Sequence, residues 1–315
     1  MTRPIRSLLD KIETFAEQQS EAKNRIGLNV FRVTCGCLIL LQYLLNYSQR
    51  RYLFAPEGVI PWEVFLEEKS GFSLYELSRE TWLFESLFHV GIAVTLAWIA
   101  GVCTPLLTPL VYLFWHSLHQ TNPLLWDGGD NLMQLVLFYA CFADLSPLQQ
   151  TKAPPTVARK IKNIVHNGAV TCFALQLCVV YGVSAMAKIQ GETWQNGTAL
   201  YYALWPEQFR LPGVSELLVH NAAVVATLTY LTVFFQMAFP FLFLLNRRTR
   251  TLAVAMGITF HLGIGVVMGL VTFAGFMICA ELALISDETY QSLTARITSL
   301  SKRMRMTTRA LPLSA

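Results

Sequence analysis

The chain has 315 residues, of which 54% are hydrophobic and 14% are charged, with 24 basic and 20 acidic side chains. This composition excludes an ordinary soluble domain, and the small basic surplus gives no reason to expect nucleic-acid binding. The apolar residues form blocks of roughly 15 to 24 residues, the length of an α-helix that crosses about 30 Å of hydrocarbon. The sequence therefore predicts an all-α, polytopic helical protein of the lipid bilayer and not a transmembrane β-barrel.

The apolar blocks predict about eight transmembrane helices. Six blocks each suit one span, and a final apolar run is too long for one helix. Gly263, Gly265 and Gly269 offer a place to divide that run into two. The predicted spans are Ile26–Tyr47, Leu83–Val102, Leu106–Leu118, Leu132–Leu145, Ala169–Ala187 and Ala222–Leu245, followed by the divided run Leu252–Ile285.

The basic residues between the spans predict the orientation. They are concentrated after the fourth span and after the sixth span, so these two loops should be cytoplasmic. They are Lys152, Arg159, Lys160 and Lys162 in the first loop and Arg247, Arg248 and Arg250 in the second. With eight spans, both termini are then also cytoplasmic, and the expected location is a bacterial cytoplasmic membrane.

The chain divides into one membrane domain and two appendages. A polar cytoplasmic segment at 1–25 precedes a transmembrane domain at 26–286, and a basic cytoplasmic tail at 287–315 follows it. The loops at 48–82 and 188–218 should be external.

Lys188 lies at the external end of the fifth span, about two helical turns beyond Tyr181 on the same face. In a pocket of low dielectric its amine would be held neutral and could act as a general base or as a Schiff-base amine. The alternative is a structural lysine that extends to the membrane surface, with Glu192 close enough in sequence to neutralise it.

His261 shares a helical face with Gly257, Gly265 and Gly269, which follow one another at four-residue intervals. Small residues at this spacing let two helices approach closely, so the imidazole is predicted to lie between helices near the middle of the membrane. It is either a buried, hydrogen-bonded histidine or a group that transfers protons or binds substrate.

Asp130 ends the turn from Asp127 to Asp130 before the fourth span, at the same membrane face as Lys188. It is either a helix cap or the acidic wall of an external pocket. His116 and His119, at the end of the third span, could join this pocket. Two histidines on one face without a third ligand do not predict a metal site.

Arg32 and Glu281 are the two charged residues predicted to lie within the first and last spans. With eight spans they reach the same depth on the cytoplasmic side. Ionisable side chains at membrane depth are costly unless they are paired. The sequence therefore predicts a structural ion pair between Arg32 and Glu281.

These motifs together resemble the HTTM superfamily, which is the membrane domain shared with vitamin K-dependent gamma-carboxylases. The resemblance extends from about Arg25 to Ile285, and it is carried by Phe31-Arg32, by Asp127-Gly-Gly-Asp130, by the segment from Ala187 through Trp194 to Tyr202, and by Phe260-His261 with the glycine-rich run that follows. It implies that Lys188 is the base at a site for a reduced, vitamin K-like quinone, which Tyr181, Trp194 and His261 line. The catalytic candidates are therefore Lys188, His261 and Asp130.

In size and motifs the chain is more similar to one branch of this group than to the carboxylases, because it has no counterpart of their large extramembrane substrate-binding domain. That branch is the membrane component of the sporulation-delaying protein system, which matures a small secreted toxin peptide with a second protein. The resemblance implies a membrane enzyme or enzyme subunit that modifies an exported peptide at the external face. Its partners would be a secreted peptide substrate and a separate accessory protein. The alternative is a non-catalytic membrane scaffold, an immunity protein or a peptide exporter.

Overall fold

The structure is a computed structural model that describes residues 21–148 and 156–310, with the side chains of all of these except 208 and 302–310. Every regular element within those ranges is helical, which confirms the all-α prediction. Lys152, residues 1–20 of the predicted polar segment and the last residues of the predicted basic tail lie outside the described residues.

Helices form at all eight positions where the sequence predicts a span. In chain order the helices are α1 (Arg25–Leu45), α2 (Arg50–Phe54), α3 (Trp62–Glu68), α4 (Thr81–Ile99), α5 (Thr104–Gln120), α6 (Gly128–Ala140), α7 (Val157–Ile189), α8 (Glu192–Gln195), α9 (Ala199–Ala203), α10 (Val214–Val219), α11 (Ala222–Leu245), α12 (Arg247–Met268), α13 (Val271–Ala283) and α14 (Asp287–Ala310). Short 3-10 turns at Leu74–Leu77, Pro123–Leu125 and Glu207–Phe209 lie in the connecting loops.

Five of the described helices, α1, α4, α7, α11 and α12, are long and apolar enough to cross a membrane. The other three at predicted span positions are shorter: α5 has 17 residues, and α6 and α13 have 13 each. The structure thus supports a polytopic helical membrane protein with five full-length candidate spans and three shorter helices packed among them.

Two helix boundaries differ from or refine the prediction. α7 begins at Val157, well before the predicted start at Ala169, because the Thr156 side chain caps the helix by accepting from the backbone N–H of Arg159 and the basic residues that follow are good helix formers. The final apolar run divides at Gly269, whose φ of 70° places it in the left-handed region that glycine adopts without strain.

α13 lies at the centre of the bundle, where it packs against α1, α6 and α12. Around it, α11 packs between α7 and α12, and α4 packs between α1 and α5. We call the end of the bundle where α1 begins the proximal end, and the opposite end the distal end. The basic residues Arg247 and Lys160 are at the proximal end, whereas Lys188 is at the distal end of α7.

An ion-pair network ties the proximal end together. Asp144, in the loop after α6, lies 2.5 Å from Arg25 and 3.2 Å from Lys162. Burial alone would raise the pKa of the Asp144 carboxyl, but hydrogen bonds from Ser146 and the charges of Arg25 and Lys162 outweigh burial and hold the pKa well below its usual value. The network connects α1, α7 and the loop between α6 and α7.

Arg32 and Glu281 do not form the predicted ion pair. The Arg32 guanidinium donates to the carbonyl oxygens of Trp98, at 2.6 Å, and Ile99, where the end of α4 carries the negative pole of its helix dipole. Glu281 faces away from Arg32 and accepts a hydrogen bond from Tyr181. The predicted ion pair is wrong because the depth of a residue follows from its position along a span, whereas its partner depends on how each helix is rotated.

Exchanging these two charges is therefore not expected to restore the protein. Arg32→Glu places a carboxylate against two carbonyl oxygens, and Glu281→Arg places a guanidinium in a closed polar core, so each change is expected to cost about 3–5 kcal/mol. The double variant should show no recovery of folded protein when yields are compared by size-exclusion chromatography in detergent. Arg32→Lys keeps a donor for the two carbonyls and serves as the control. Wild-type yield from the double variant would contradict these separate contacts.

Candidate functional site

Three polar side chains from three helices meet in the buried centre of the bundle. Tyr181 comes from α7, His261 from α12 and Glu281 from α13, and they are 1%, 2% and 0% exposed. The Tyr181 hydroxyl lies 2.9 Å from Nε2 of His261 and donates to Oε1 of Glu281. Nε2 of His261 is 3.8 Å from Oε1 of Glu281. We call these three residues the central cluster.

A glycine makes room for the central cluster. Gly257 lies one helical turn before His261 on α12, and a Cβ atom there would overlap Oε1 of Glu281 and lie 3.0 Å from the Tyr181 hydroxyl. The glycine lets the backbone of α12 approach α13 and α7 closely, which is the role of small residues between membrane helices. The prediction of an interhelical position for His261 agrees with its burial.

Aromatic rings surround the central cluster. The Tyr181 ring stacks on Phe239 with 3.9 Å between centroids, and it meets the edge of Phe235 at 5.3 Å. The His261 ring lies 5.6 Å from Phe273. These rings exclude water, so each polar atom of the cluster depends on its neighbours for hydrogen bonds.

Two atoms of the central cluster have no hydrogen-bond partner among the residues that the structure describes: Nδ1 of His261 and Oε2 of Glu281. An unpaired polar atom in a closed core costs about 1–3 kcal/mol. A native protein retains such an atom where water, a ligand or a reaction uses it. The central cluster therefore has two open positions, one at each end of its hydrogen-bonded chain.

A second cluster lies at the distal end around Asp130, which is 2% exposed. Oδ1 of Asp130 accepts from Nε2 of Gln42 at 2.9 Å and lies 3.5 Å from Nε2 of His119. We call Asp130, His119 and Gln42 the distal cluster. His119 also donates through Nδ1 to the Trp115 carbonyl oxygen at 2.9 Å.

Asp130 takes part in capping α6, although it is not itself the cap, and its role as the acidic wall of an external pocket stays a prediction. Asp127 caps α6, and Asp130 returns a hydrogen bond to the Asp127 backbone to complete a capping box. Burial and the adjacent Asp130 charge raise the pKa of the Asp127 carboxyl, against the lowering effect of its backbone hydrogen bonds. His116 does not join this cluster, because its Nε2 lies 3.3 Å from the Gln120 amide. No group of three metal-ligating side chains occurs within the residues described.

Lys188 lies apart from both clusters. It is half-buried in the last turn of α7, and its Nζ lies 5.1 Å from the centroid of the Trp194 ring. In the described part of the chain no hydrogen bond or ion pair involves this amine, so Glu192 does not neutralise it. Tyr181 is about 10 Å away along the helix axis. In the structure Lys188 therefore contacts Trp194, and Tyr181 contacts His261. These four residues and Asp130, the five predicted site residues, do not form one set of direct contacts.

An apolar groove opens between α11 and α12 on the side of the bundle. Its volume is about 630 Å³, and Leu200 of α9 and Leu218 of α10 are among its lining residues. We call it the lateral groove. Phe235 and Phe260, which lie 5.3 Å apart, form the wall between the lateral groove and the central cluster. Lys188 is not part of its lining.

Glu281 is the site residue that sequence reasoning assigned to a different role. Its position inside a predicted span already marked it as a residue that needs a partner. The face of α12 that carries Gly257 and His261 also indicated a close helix neighbour, but the sequence does not say which helix that is. The contact of α12 with α13 identifies Glu281 as the partner.

Comparisons with known proteins give one relative. No family model matches the chain, and no solved structure gives a significant match. The chain is similar to the Sporulation-delaying protein SdpB of Bacillus subtilis (strain 168), with 25% identity over 284 residues that cover 87% of this chain and 84% of that protein. The apolar helices make the chain an integral membrane protein.

Proposed function

We propose that the chain is the membrane component of a system that matures an exported peptide toxin, and that it belongs to the HTTM superfamily. The observation that carries this proposal is the similarity to SdpB over 87% of the chain, since a match of that length takes in most of the helices that build the two clusters. A secreted peptide and a separate accessory protein are the proposed partners.

The central cluster favours an enzyme or enzyme subunit over a passive scaffold. Ionisable residues in a membrane core are costly, and they are typical of sites that move protons or bind polar ligands. A scaffold would be more stable with apolar residues at Tyr181, His261 and Glu281, because the cluster leaves two buried polar atoms unpaired within the described structure.

The proposed orientation places the distal end outside the cell. Basic residues at the start of α7 and α12 support a cytoplasmic proximal end in a bacterial cytoplasmic membrane. Lys188 and the distal cluster then face the side where an exported peptide emerges. A half-buried amine that no acid pairs with in the described part of the chain can be held neutral, and a neutral amine accepts a proton at Nζ, which is the role proposed for Lys188.

A lipophilic quinone is the proposed cofactor, and the lateral groove fits its apolar part. Carbon atoms dominate the lining of the groove, and its polar side chains are the hydroxyls of Thr232 and Thr259. A bound reduced quinone would supply electrons and phenolic protons. Because Lys188 does not line the groove, the groove alone provides no proton path from such a molecule to Nζ.

The proposal is tested in the organism that encodes the chain. We expect deletion of the gene to remove one mature peptide from the culture medium and to leave its unmodified precursor, as measured by mass spectrometry of secreted and cell-associated peptides. Complementation with the full chain should restore the mature form. Precursor retained inside the cells would indicate an exporter, an unchanged peptide with loss of host survival would indicate an immunity protein, and either result would contradict a maturation role.

A further inference from the structure

We propose that Tyr181, His261 and Glu281 form a proton relay in the membrane core, with Nδ1 of His261 and Oε2 of Glu281 as its two ends. This inference rests on the proposed function and deepens it, because it assigns a second proton-transfer step, distinct from proton acceptance at Lys188, to a separate site. It also gives Glu281 a role in the reaction in place of a structural one.

The burial of the central cluster determines its charge. All three side chains are at most 2% exposed, and aromatic rings surround them. An unbalanced charge there would cost several kcal/mol, and no Lys or Arg contact to Glu281 occurs within the described residues. The cluster is therefore neutral overall. Nε2 of His261 and Oε1 of Glu281 are 3.8 Å apart, too far for the direct hydrogen bond that would stabilise an imidazolium–carboxylate pair, so the neutral cluster has a proton on the Glu281 carboxyl and an uncharged imidazole.

The hydrogen bonds then fix the position of each proton. The Tyr181 hydroxyl donates to Oε1 of Glu281, so its oxygen is free to accept a hydrogen bond from Nε2–H of His261. A neutral histidine with a proton on Nε2 leaves Nδ1 as an acceptor. The carboxyl proton must then be on Oε2. The two atoms without partners are thus one acceptor and one donor, at opposite ends of a continuous chain.

This chain can pass a proton without separating charge for long. A proton that arrives at Nδ1 of His261 lets the Nε2 proton move to the Tyr181 oxygen, the hydroxyl proton move to Oε1 of Glu281, and the Oε2 proton leave. One proton enters and one leaves, and each hydrogen bond in the chain now runs in the opposite donor-to-acceptor direction. Transfer of a proton in the reverse direction restores the starting arrangement. Tyr181 is the essential middle of the relay, since it is the group that contacts both of the others.

Infrared spectroscopy of the full chain in lipid nanodiscs tests the relay without an activity assay. We expect wild-type protein at neutral pH to show the C=O stretching band of a protonated carboxyl that shifts in D2O and is absent from Glu281→Gln. Tyr181→Phe keeps the ring stack on Phe239 and should shift the band. Tyr43→Phe is the matched control, because the Tyr43 hydroxyl is buried without a partner in the described structure, and the band should be unchanged.

Peptide maturation gives the second measurement. We expect Tyr181→Phe and Glu281→Gln to slow maturation by about 100-fold, the range of general acid–base catalysis, and Tyr43→Phe to match the wild type. The relay is excluded if wild type and Glu281→Gln have the same carboxyl band, if Tyr181→Phe leaves that band in place, or if Tyr181→Phe matures peptide at the wild-type rate. Failure of the proposed function is distinct, because deletion of the gene would then leave the peptide unchanged.

Discussion

Lys188→Met is expected to abolish peptide maturation while the protein still folds. The amine is half-buried over Trp194 and has no acidic partner in the described part of the chain, so folding does not depend on an ion pair that the change would break. Methionine keeps the length of the aliphatic stem but cannot accept a proton. The mature peptide should disappear from the medium, by mass spectrometry, at an unchanged level of membrane-inserted protein.

Two further variants separate the base role of Lys188 from its charge. Lys188→Arg keeps the positive charge and the contact with the Trp194 ring, but a guanidinium does not lose its proton in proteins, so this variant should also be inactive. Lys160→Met removes an exposed lysine from the first turns of the same helix and should leave maturation intact. An active Lys188→Arg variant would show that the charge matters and that the base role is wrong.

Gly257→Ala is expected to destabilise the protein by about 1–3 kcal/mol, the usual cost of overfilling a packed core. The added methyl group would overlap the Glu281 carboxyl and press on the Tyr181 hydroxyl, and neither side chain has open space to move into. It should also break the hydrogen bond between them, so maturation should fall as in Tyr181→Phe. The measurement is a thermal unfolding curve in detergent combined with the peptide assay.

Gly263→Ala on the same helix is the control for this prediction. A Cβ atom at Gly263 meets no atom within 4 Å, and alanine is a better helix former than glycine. This variant should be as stable as the wild type or slightly more stable. If the two alanine variants lose equal stability, helix propensity or lipid contact controls the result, and the close approach at Gly257 is not what matters.

The sequence predicts the helices well because the membrane imposes a length and an apolar composition on each span. It predicts that the last apolar run divides at one of Gly263, Gly265 and Gly269, and the helix ends at Gly269. It also predicts that His261 lies between helices, because glycines recur at four-residue intervals on its face. Depth is also predictable, since each residue adds a constant rise along a helix.

The partners within the candidate site are less predictable than the helices. The sequence predicts a pair between Arg32 and Glu281 because the two residues reach similar depths. In the structure, α1 and α13 instead turn these side chains toward different neighbours. Helix rotation depends on packing among all the helices, which an apolar pattern on nearly every face does not encode. The separation of Lys188 from the central cluster has a different cause, because Lys188 and Tyr181 share a face of α7 but lie about two turns apart along it.

The shortness of α13 affects the lipid around the protein. α13 has 13 residues and spans about 20 Å, whereas α1, with 21 residues, spans about 31 Å from nearly the same starting level. The turn at Gly269 therefore lies about 20 Å from the proximal end of α13, and Ser215 of α10 donates to the Val267 carbonyl beside it at 2.7 Å. A helix shorter than about 30 Å of hydrocarbon is accommodated by a locally thinner bilayer or by protein around its end. We therefore expect a bilayer of longer acyl chains to oppose the folded arrangement more strongly, so that membrane thickness becomes a variable in the stability of this protein.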